Sequence, residues 1–189
     1  KTFLILRQIV ERAQEVPGSR HAVMRFRFNH VVSSVAMDTL PKVLAKCFPN
    51  VVGKLDKQLW YYKFENGSEI WFGGLDEKER TEKILGQEYS TMFLNECSQI
   101  PYDSRNMAIT RLAQNVGLSR KMFYDCNPPS KRHWTHLLFI DHIDPSRNQP
   151  LVDPENYESL QVNPDHNREN LDAEYLKDLA GLDERKRRR

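Results

Sequence analysis

Asn95 and Glu96 close an apolar run, Thr91-Met92-Phe93-Leu94, and the change from apolar to polar is abrupt. A short apolar run of this kind reads as a strand buried on both faces. A carboxylate at its C-terminal end lies where open α/β sheets hold their ligand chemistry. A glutamate there can orient and activate water for attack on a terminal phosphate, and the residue before it is the place for a metal-associated aspartate. Here that residue is Asn95, which can accept a hydrogen bond from a metal-bound water but brings no charge. The other reading is a surface loop that begins at Asn95, and the run by itself does not choose between them.

The first two residues, Lys1 and Thr2, have the order that ends a phosphate-binding loop, G-x-x-x-x-G-K-[ST]. In that loop the lysine reaches the β- and γ-phosphates and the hydroxyl joins the Mg²⁺ shell. A helix must follow, and one does in the pattern, but the dipeptide alone carries almost no information.

A third block is Tyr124-Asp125-Cys126-Asn127-Pro128-Pro129, followed by His133-Trp134. Two prolines fix the exit of a strand and hold the polar side chain before them. Asn127 can sense a γ-phosphate or an attacking water, or it can simply begin a rigid turn. In Met24-Arg25-Phe26-Arg27-Phe28 the alternation puts Arg25 and Arg27 on one strand face, able to bind phosphate or stack on a base. They also read as ordinary surface arginines.

The elements that must position these residues follow from apolar spacing. Phe3, Leu4, Leu6, Ile9, Val10 and Ala13 predict a helix from Thr2 to about Gln14, ended by Val16-Pro17-Gly18. A strand is expected at His21–Phe28 and a helix at His30–Cys47 that Pro41 bends or divides. Asn66-Gly67 between Leu59–Glu65 and Ser68–Gly73 predicts a hairpin whose second strand breaks at Gly73-Gly74. Asp76–Ile84 reads as a charged helical link. Asp103–Gln114 should be a helix. Lys121–Cys126, Leu137–Ile143 and Tyr157–Val162 should be strands, with a loop at Asp144–Pro154 and a terminal helix at Asn170–Ala180. Alternating strands and helices describe an α/β fold: a mainly parallel sheet flanked by helices, with an inserted β-hairpin.

The 189 residues are 39% hydrophobic and 29% charged, which describes a folded chain with a real core. No apolar run reaches the roughly 18 residues of a membrane span, so no membrane partner is expected. The net charge of +2 excludes a uniformly basic nucleic-acid coat, although Arg185 to Arg189 are all Lys or Arg. That run reads as a solvated helix end or linker, or as a phosphate contact. Cys47, Cys97 and Cys126 form no C-x-x-C and are expected to be buried free thiols. His133 and His136 lack a second pair of zinc ligands. With no initiating Met, the chain reads as an excerpt of a longer protein.

Taken in order, these blocks resemble the ATPase domain of the large terminase subunit of tailed bacteriophages, the motor that packages viral DNA. The resemblance rests on Lys1-Thr2 before a helix, Val23-Met24-Arg25-Phe26, Ile70-Trp71-Phe72-Gly73-Gly74-Leu75-Asp76 and Ile84-Leu85-Gly86. It continues through Met92-Phe93-Leu94-Asn95-Glu96-Cys97-Ser98, Asp125-Cys126-Asn127-Pro128-Pro129 with His133-Trp134, and Val162-Asn163-Pro164 before Tyr175-Leu176-Lys177. It covers nearly the whole chain.

The resemblance implies a P-loop NTPase of the additional-strand, catalytic-glutamate type, with ATP and Mg²⁺. Lys1, Thr2 and Arg25 would bind the nucleotide, with Thr2 and Asn95 serving Mg²⁺, Asn95 through water. Glu96 would be the catalytic base and Asn127 would belong to the motif coupling hydrolysis to movement. Residues 1–165 would form the ATPase core and 166–189 a basic linker towards a nuclease domain. The implied partners are double-stranded DNA, read without regard to sequence, the portal protein, the small terminase subunit and further copies in a ring, in the host cytoplasm. The chain departs from the family at three places: the loop glycines are absent, Asn95 replaces aspartate, and Leu85 stands where some relatives carry an arginine, with Arg80 and Lys83 nearby. Another nucleic-acid-dependent P-loop ATPase, or a non-catalytic α/β binding domain, is the rival reading.

Overall fold

Leu6, Ile9, Val10 and Ala13 recur at helical spacing, and all four are buried along one side of helix α1 (Thr2–Glu15). They pack on a sheet, in a computed structural model that describes residues 1–76, 84–127, 129–162 and 169–181. The chain divides into two compact units, Lys1–Cys126 and Asn127–Arg189.

The first unit holds strands β1 (Arg20–Arg25), β2 (Gly53–Asp56), β3 (Tyr61–Phe64), β4 (Glu69–Gly74), β5 (Thr91–Leu94) and β6 (Lys121–Tyr124). They form one six-stranded sheet in the order β2-β3-β4-β1-β5-β6. The β4-β1, β1-β5 and β5-β6 pairs are parallel, and β2-β3 and β3-β4 are antiparallel. Val23, Phe72, Phe93 and Phe123 line up across four neighbouring strands. Residues in register share a face, and this face joins the core of α1 and the helical run after β1. All four residues of β5 are buried, as a strand covered on both faces requires.

Several expected boundaries move. The first strand ends at Arg25, and Arg27 becomes the N-cap of helix α2 (Phe28–Val31), so the two arginines do not share a strand face. The helical run continues as a wider π-helical stretch, Val32–Thr39, and then helix α3 (Leu40–Cys47) with Pro41 in its first turn. Thr39 Oγ1 donates to Ser34 O, five residues back, at 2.7 Å. Proline has no N–H to give and crowds the preceding turn, and the wide stretch absorbs it without a break.

The hairpin forms, but its loop is longer than Asn66-Gly67. Phe64 N–H donates to Ser68 O, and Gly67 takes φ 83°. Three loop residues ending in a left-handed glycine are a standard hairpin closure. The polar β2 adds a strand that the pattern does not reveal. Gly73 and Gly74 lie within β4 rather than breaking it. A Cβ on Gly74 would stand 2.7 Å from the Phe28 backbone nitrogen, so glycine allows β4 and α2 to touch. The expected link at Asp76–Ile84 falls mostly on residues 77–83, outside the described residues, as do Arg80 and Lys83.

Helix α4 (Tyr102–Ile109) is shorter than expected. Gln114, placed in that helix from the pattern, instead accepts from Arg20 N–H at 2.7 Å and donates to Gly18 O at 3.2 Å.

In the second unit, Leu137–Ile143 is not a strand. It is helical from helix α5 (Trp134–His136) through a π turn at Leu137–Asp141. His133 caps this run, accepting from Thr135 N–H at 3.2 Å through Nδ1, and an N-cap overrides the β-like apolar run. Of that run only its last residue, Ile143, is extended: it opens β7 (Ile143–Asp144), which pairs with β8 (Gln149–Pro150) from the expected loop. Residues 157–162 form no strand. The terminal helix α6 is Ala173–Gly181, with Tyr175 exposed. Asn163-Pro164 and the basic run at 185–189 lie outside the described residues. Among the described residues no helix is long and apolar enough to cross a membrane.

Buried polar groups tie α1 to the sheet. Arg12, 5% exposed, donates from Nε to Thr91 Oγ1 at 2.8 Å and from Nη2 to Ser119 O. His21 on β1 is fully buried, with Nε2 against Ser19 Oγ at 2.9 Å. Burial, with the Arg12 charge adding to it, lowers the His21 pKa to about 3. Below about pH 6.5 the unfolded chain therefore takes up a proton at His21 that the folded chain refuses. Acid should erode stability from about pH 6.5 downward, by up to about 1.4 kcal/mol per pH unit from this group. Urea midpoints between pH 7 and 4 check this: the slope should shrink in His21→Leu, and an unchanged slope would remove the assignment.

Candidate active site

Parallel pairing puts the C-terminal ends of β1, β5 and β6 on one edge of the sheet. The register aligns Leu94 with Tyr124, so the residues that follow them, Asn95 and Asp125, emerge side by side. Backbone bonds hold both chain exits. Asn95 N–H donates to Met24 O at 2.8 Å, Asp125 N–H to Leu94 O at 3.3 Å, and Cys97 N–H to Asp125 O at 2.9 Å.

Asp125 is the hub. Its Oδ1 accepts from Asn95 Nδ2 at 2.9 Å and from the Glu96 backbone N–H at 2.8 Å. Its Oδ2 accepts from Thr2 Oγ1 at 2.7 Å and from Asn95 Nδ2 at 3.2 Å. Asn95 Nδ2 also lies 3.2 Å from Thr2 Oγ1. A carboxylate only accepts, so it fixes the amide with its nitrogen turned inward. Asn95 and Asp125 are both buried.

Glu96 turns sharply, with φ 52° and ψ 48°. A side chain other than glycine in the left-handed region stores of order 1 kcal/mol, and such strain gathers at functional sites. The turn spends the Glu96 N–H on Asp125 and leaves the side chain half-buried. Among the described residues none makes a hydrogen bond or ion pair to the Glu96 carboxylate.

Lys1 is the N-cap of α1, its carbonyl accepting from Leu4 and Ile5 N–H at 3.0 and 3.2 Å. Its Nζ donates to Cys126 O at 2.9 Å, which ties the head of α1 to the end of β6. Unpaired N–H groups at a helix start favour an anion. The two thiols far apart in sequence meet here. The Cys97 thiol hydrogen-bonds to Cys126 and lowers the Cys126 pKa, the Lys1 charge acting in the same direction. Cys97 itself is pushed up by that bond and by burial. Only Cys97 of the three cysteines is buried; Cys47 and Cys126 are partly exposed.

Lys1, Thr2, Asn95 and Glu96 thus come together around Asp125. Arg25 ends β1 on the same sheet edge, where its Nη1 donates to Ser34 Oγ at 3.1 Å and its Nε is buried without a partner among the described residues. Asn127 opens the second unit. Arg105 was not singled out by the sequence pattern. It is 5% exposed and donates from Nε to Tyr124 Oη at 3.0 Å, fastening α4 to the end of β6. Asp125 was also missed as a site residue. It stands directly after a strand-like run, as Asn95 does, and that position was its signal.

The fold matches solved phage proteins. The large terminase of a thermophilic bacteriophage in complex with ADP aligns with TM-score 0.72 and 19% identity over 92% of this chain and 40% of that one. The same protein in complex with ATP-γ-S gives TM-score 0.70 and 18% identity over 94% and 40%. The large terminase ATPase domain of a Thermus phage gives 0.53 and 15% over 94% and 77%. At these identities the likeness is one of fold, and the chain spans about two fifths of the length of the complete terminases. No curated protein matches. The family model described as phage terminase large subunit matches residues 1–189, and the chain belongs to that family.

Proposed function

We propose that this chain is an ATP-hydrolysing motor domain that drives double-stranded phage DNA into a capsid. The observation that carries the reading is the joining of Thr2, at the head of α1, to Asn95 and Asp125 at the ends of two parallel strands. A helix start facing strand ends is the arrangement a phosphate chain needs. Family membership and relatives solved with ADP and ATP-γ-S support the choice of nucleotide. We assign the fold to the P-loop class with an additional strand and a catalytic glutamate.

Lys1 and the N–H groups at the start of α1 bind phosphate oxygens, and Arg25 adds a further cation on the same edge. The Thr2 hydroxyl beside a carboxylate is a hard oxygen set that fits Mg²⁺. That ion would neutralise charge on the phosphates. Asn95 serves its water shell. Glu96, whose carboxylate is bonded to none of the described residues, accepts the proton of the attacking water. Asn127 couples the chemistry to movement. Residues 1–165 act as the motor core and 166–189 as a basic linker. In the host cytoplasm the partners are the portal, the small terminase subunit, further copies in a ring, and DNA phosphates contacted without sequence preference.

The test uses the intact protein. ATP should bind, its turnover should rise with double-stranded DNA, and proheads should fill. Lys1→Ala should weaken ATP binding about 10- to 100-fold, the worth of a charged hydrogen bond. Turnover without prohead filling would move the chain to the helicase-like ATPases. Wild-type protein that binds no ATP would leave a non-catalytic domain.

A further inference from the structure

We propose that Asp125 supplies the negative charge of the Mg²⁺ site that Asn95 lacks, so that the metal-associated carboxylate has moved from the end of β5 to the end of β6. The inference rests on the nucleotide reading above and assigns a positioning residue within it.

A divalent ion next to phosphate needs a carboxylate close to the threonine hydroxyl, to draw the ion and orient the oxygen that faces it. Asn95 cannot be that group. It is neutral, and its amide nitrogen points at Thr2 and Asp125. Asp125 meets each requirement. It is buried, and its Oδ2 accepts a hydrogen bond from the Thr2 hydroxyl at 2.7 Å. With that hydrogen turned to Asp125 and one lone pair of Thr2 Oγ1 facing Asn95 Nδ2, the second lone pair is left for a cation.

Among the described residues, the four hydrogen bonds to the carboxylate all come from neutral donors: Thr2, Asn95 twice, and the Glu96 N–H. Burying an ionised carboxylate is expensive unless a cation answers it. Neutral donors orient the carboxylate, and the Lys1 ammonium is bonded to Cys126 O rather than to it, so no ion pair claims Asp125 among the described residues. The pair is also nearly symmetric. Asn and Asp have the same shape, and the Asn95–Asp125 bond needs one amide and one carboxylate, in either order.

That symmetry gives the experiment. Asp125→Asn, Asn95→Asp and the double exchange Asn95→Asp/Asp125→Asn are made in the intact protein. A fluorescent ATP analogue is titrated in EDTA and over a range of Mg²⁺, and Mn²⁺ binding is followed by electron paramagnetic resonance. Asp125→Asn should raise the Mg²⁺ and Mn²⁺ concentrations needed by about tenfold or more, as loss of a metal-site supporting group does. Its nucleotide affinity in EDTA should not fall. The double exchange, which returns the charge to β5, should bring the metal requirement back towards wild type. A purely structural Asp125 would lower the melting temperature and leave the metal requirement alone.

A folded Asp125→Asn protein with the wild-type metal requirement overturns the assignment. If that single variant does not fold, the double exchange decides: a wild-type metal requirement supports the relocated charge, and a lost one overturns it. Wild-type protein that binds no ATP at any Mg²⁺ concentration defeats the nucleotide reading, and this assignment with it. Wild-type binding with an unmoved Asp125→Asn requirement defeats this assignment alone.

Discussion

Glu96→Gln is expected to lower ATP turnover by about 10²- to 10⁴-fold, the usual worth of a general base, while ATP binding stays near wild type. Glutamine keeps the size of the side chain and removes only its ability to take a proton. It also leaves the backbone problem unchanged. Residue 96 sits at φ 52°, and glutamine meets the same left-handed strain as glutamate. The Glu96 N–H keeps its bond to Asp125, because that bond belongs to the backbone. Single-turnover hydrolysis with a bound fluorescent nucleotide separates chemistry from affinity. A variant that turns over ATP normally would sink the role given to Glu96. A variant that loses ATP binding would show that residue 96 shapes the pocket instead.

Phe93→Ala should cost about 3–5 kcal/mol of stability, the range for emptying a buried aromatic site. Phe93 is fully buried on β5, flanked in register by Val23 and Phe123. Its neighbours are held by sheet hydrogen bonds and by α1, so they cannot collapse into the space. The loss is a large share of the roughly 5–15 kcal/mol that a domain has. The urea midpoint should fall at an unchanged m-value. A loss well below 1 kcal/mol would mean that the sheet repacks freely. Because Asn95 and Glu96 continue directly from β5, activity should fade at a lower temperature than in wild type.

Much of this was legible because burial follows pattern. The apolar quartet Thr91–Leu94 and the spacing in α1 each admit one reading. Other features depend on partners that a sequence does not reveal. Gly53–Asp56 is too polar to declare itself a strand, and it pairs because β3 offers an edge. Leu137–Asp141 looks like a strand until His133 caps a helix before it. Gly73-Gly74 reads as a break until the Phe28 backbone is seen against it.

The site divides in the same way. The residues at the end of β5 stand out only together with the blocks around them, because a run ending in a carboxylate also fits the start of a surface loop. Asp125 depends on register: Leu94 opposite Tyr124 makes Asn95 and Asp125 neighbours. The meeting of Cys97 and Cys126 is a product of the same register, and cysteine spacing gives no hint of it.

The left-handed turn at Glu96 sets two kinds of selection against each other. Glycine would relax that backbone and favour the folded state, as it does wherever φ is positive. It would also remove the carboxylate. Variants screened for thermal robustness alone should therefore drift towards glycine at 96, while variants kept for motor work retain glutamate. Under the role proposed for Glu96, the amino acid at this one position sets ATP turnover against staying folded.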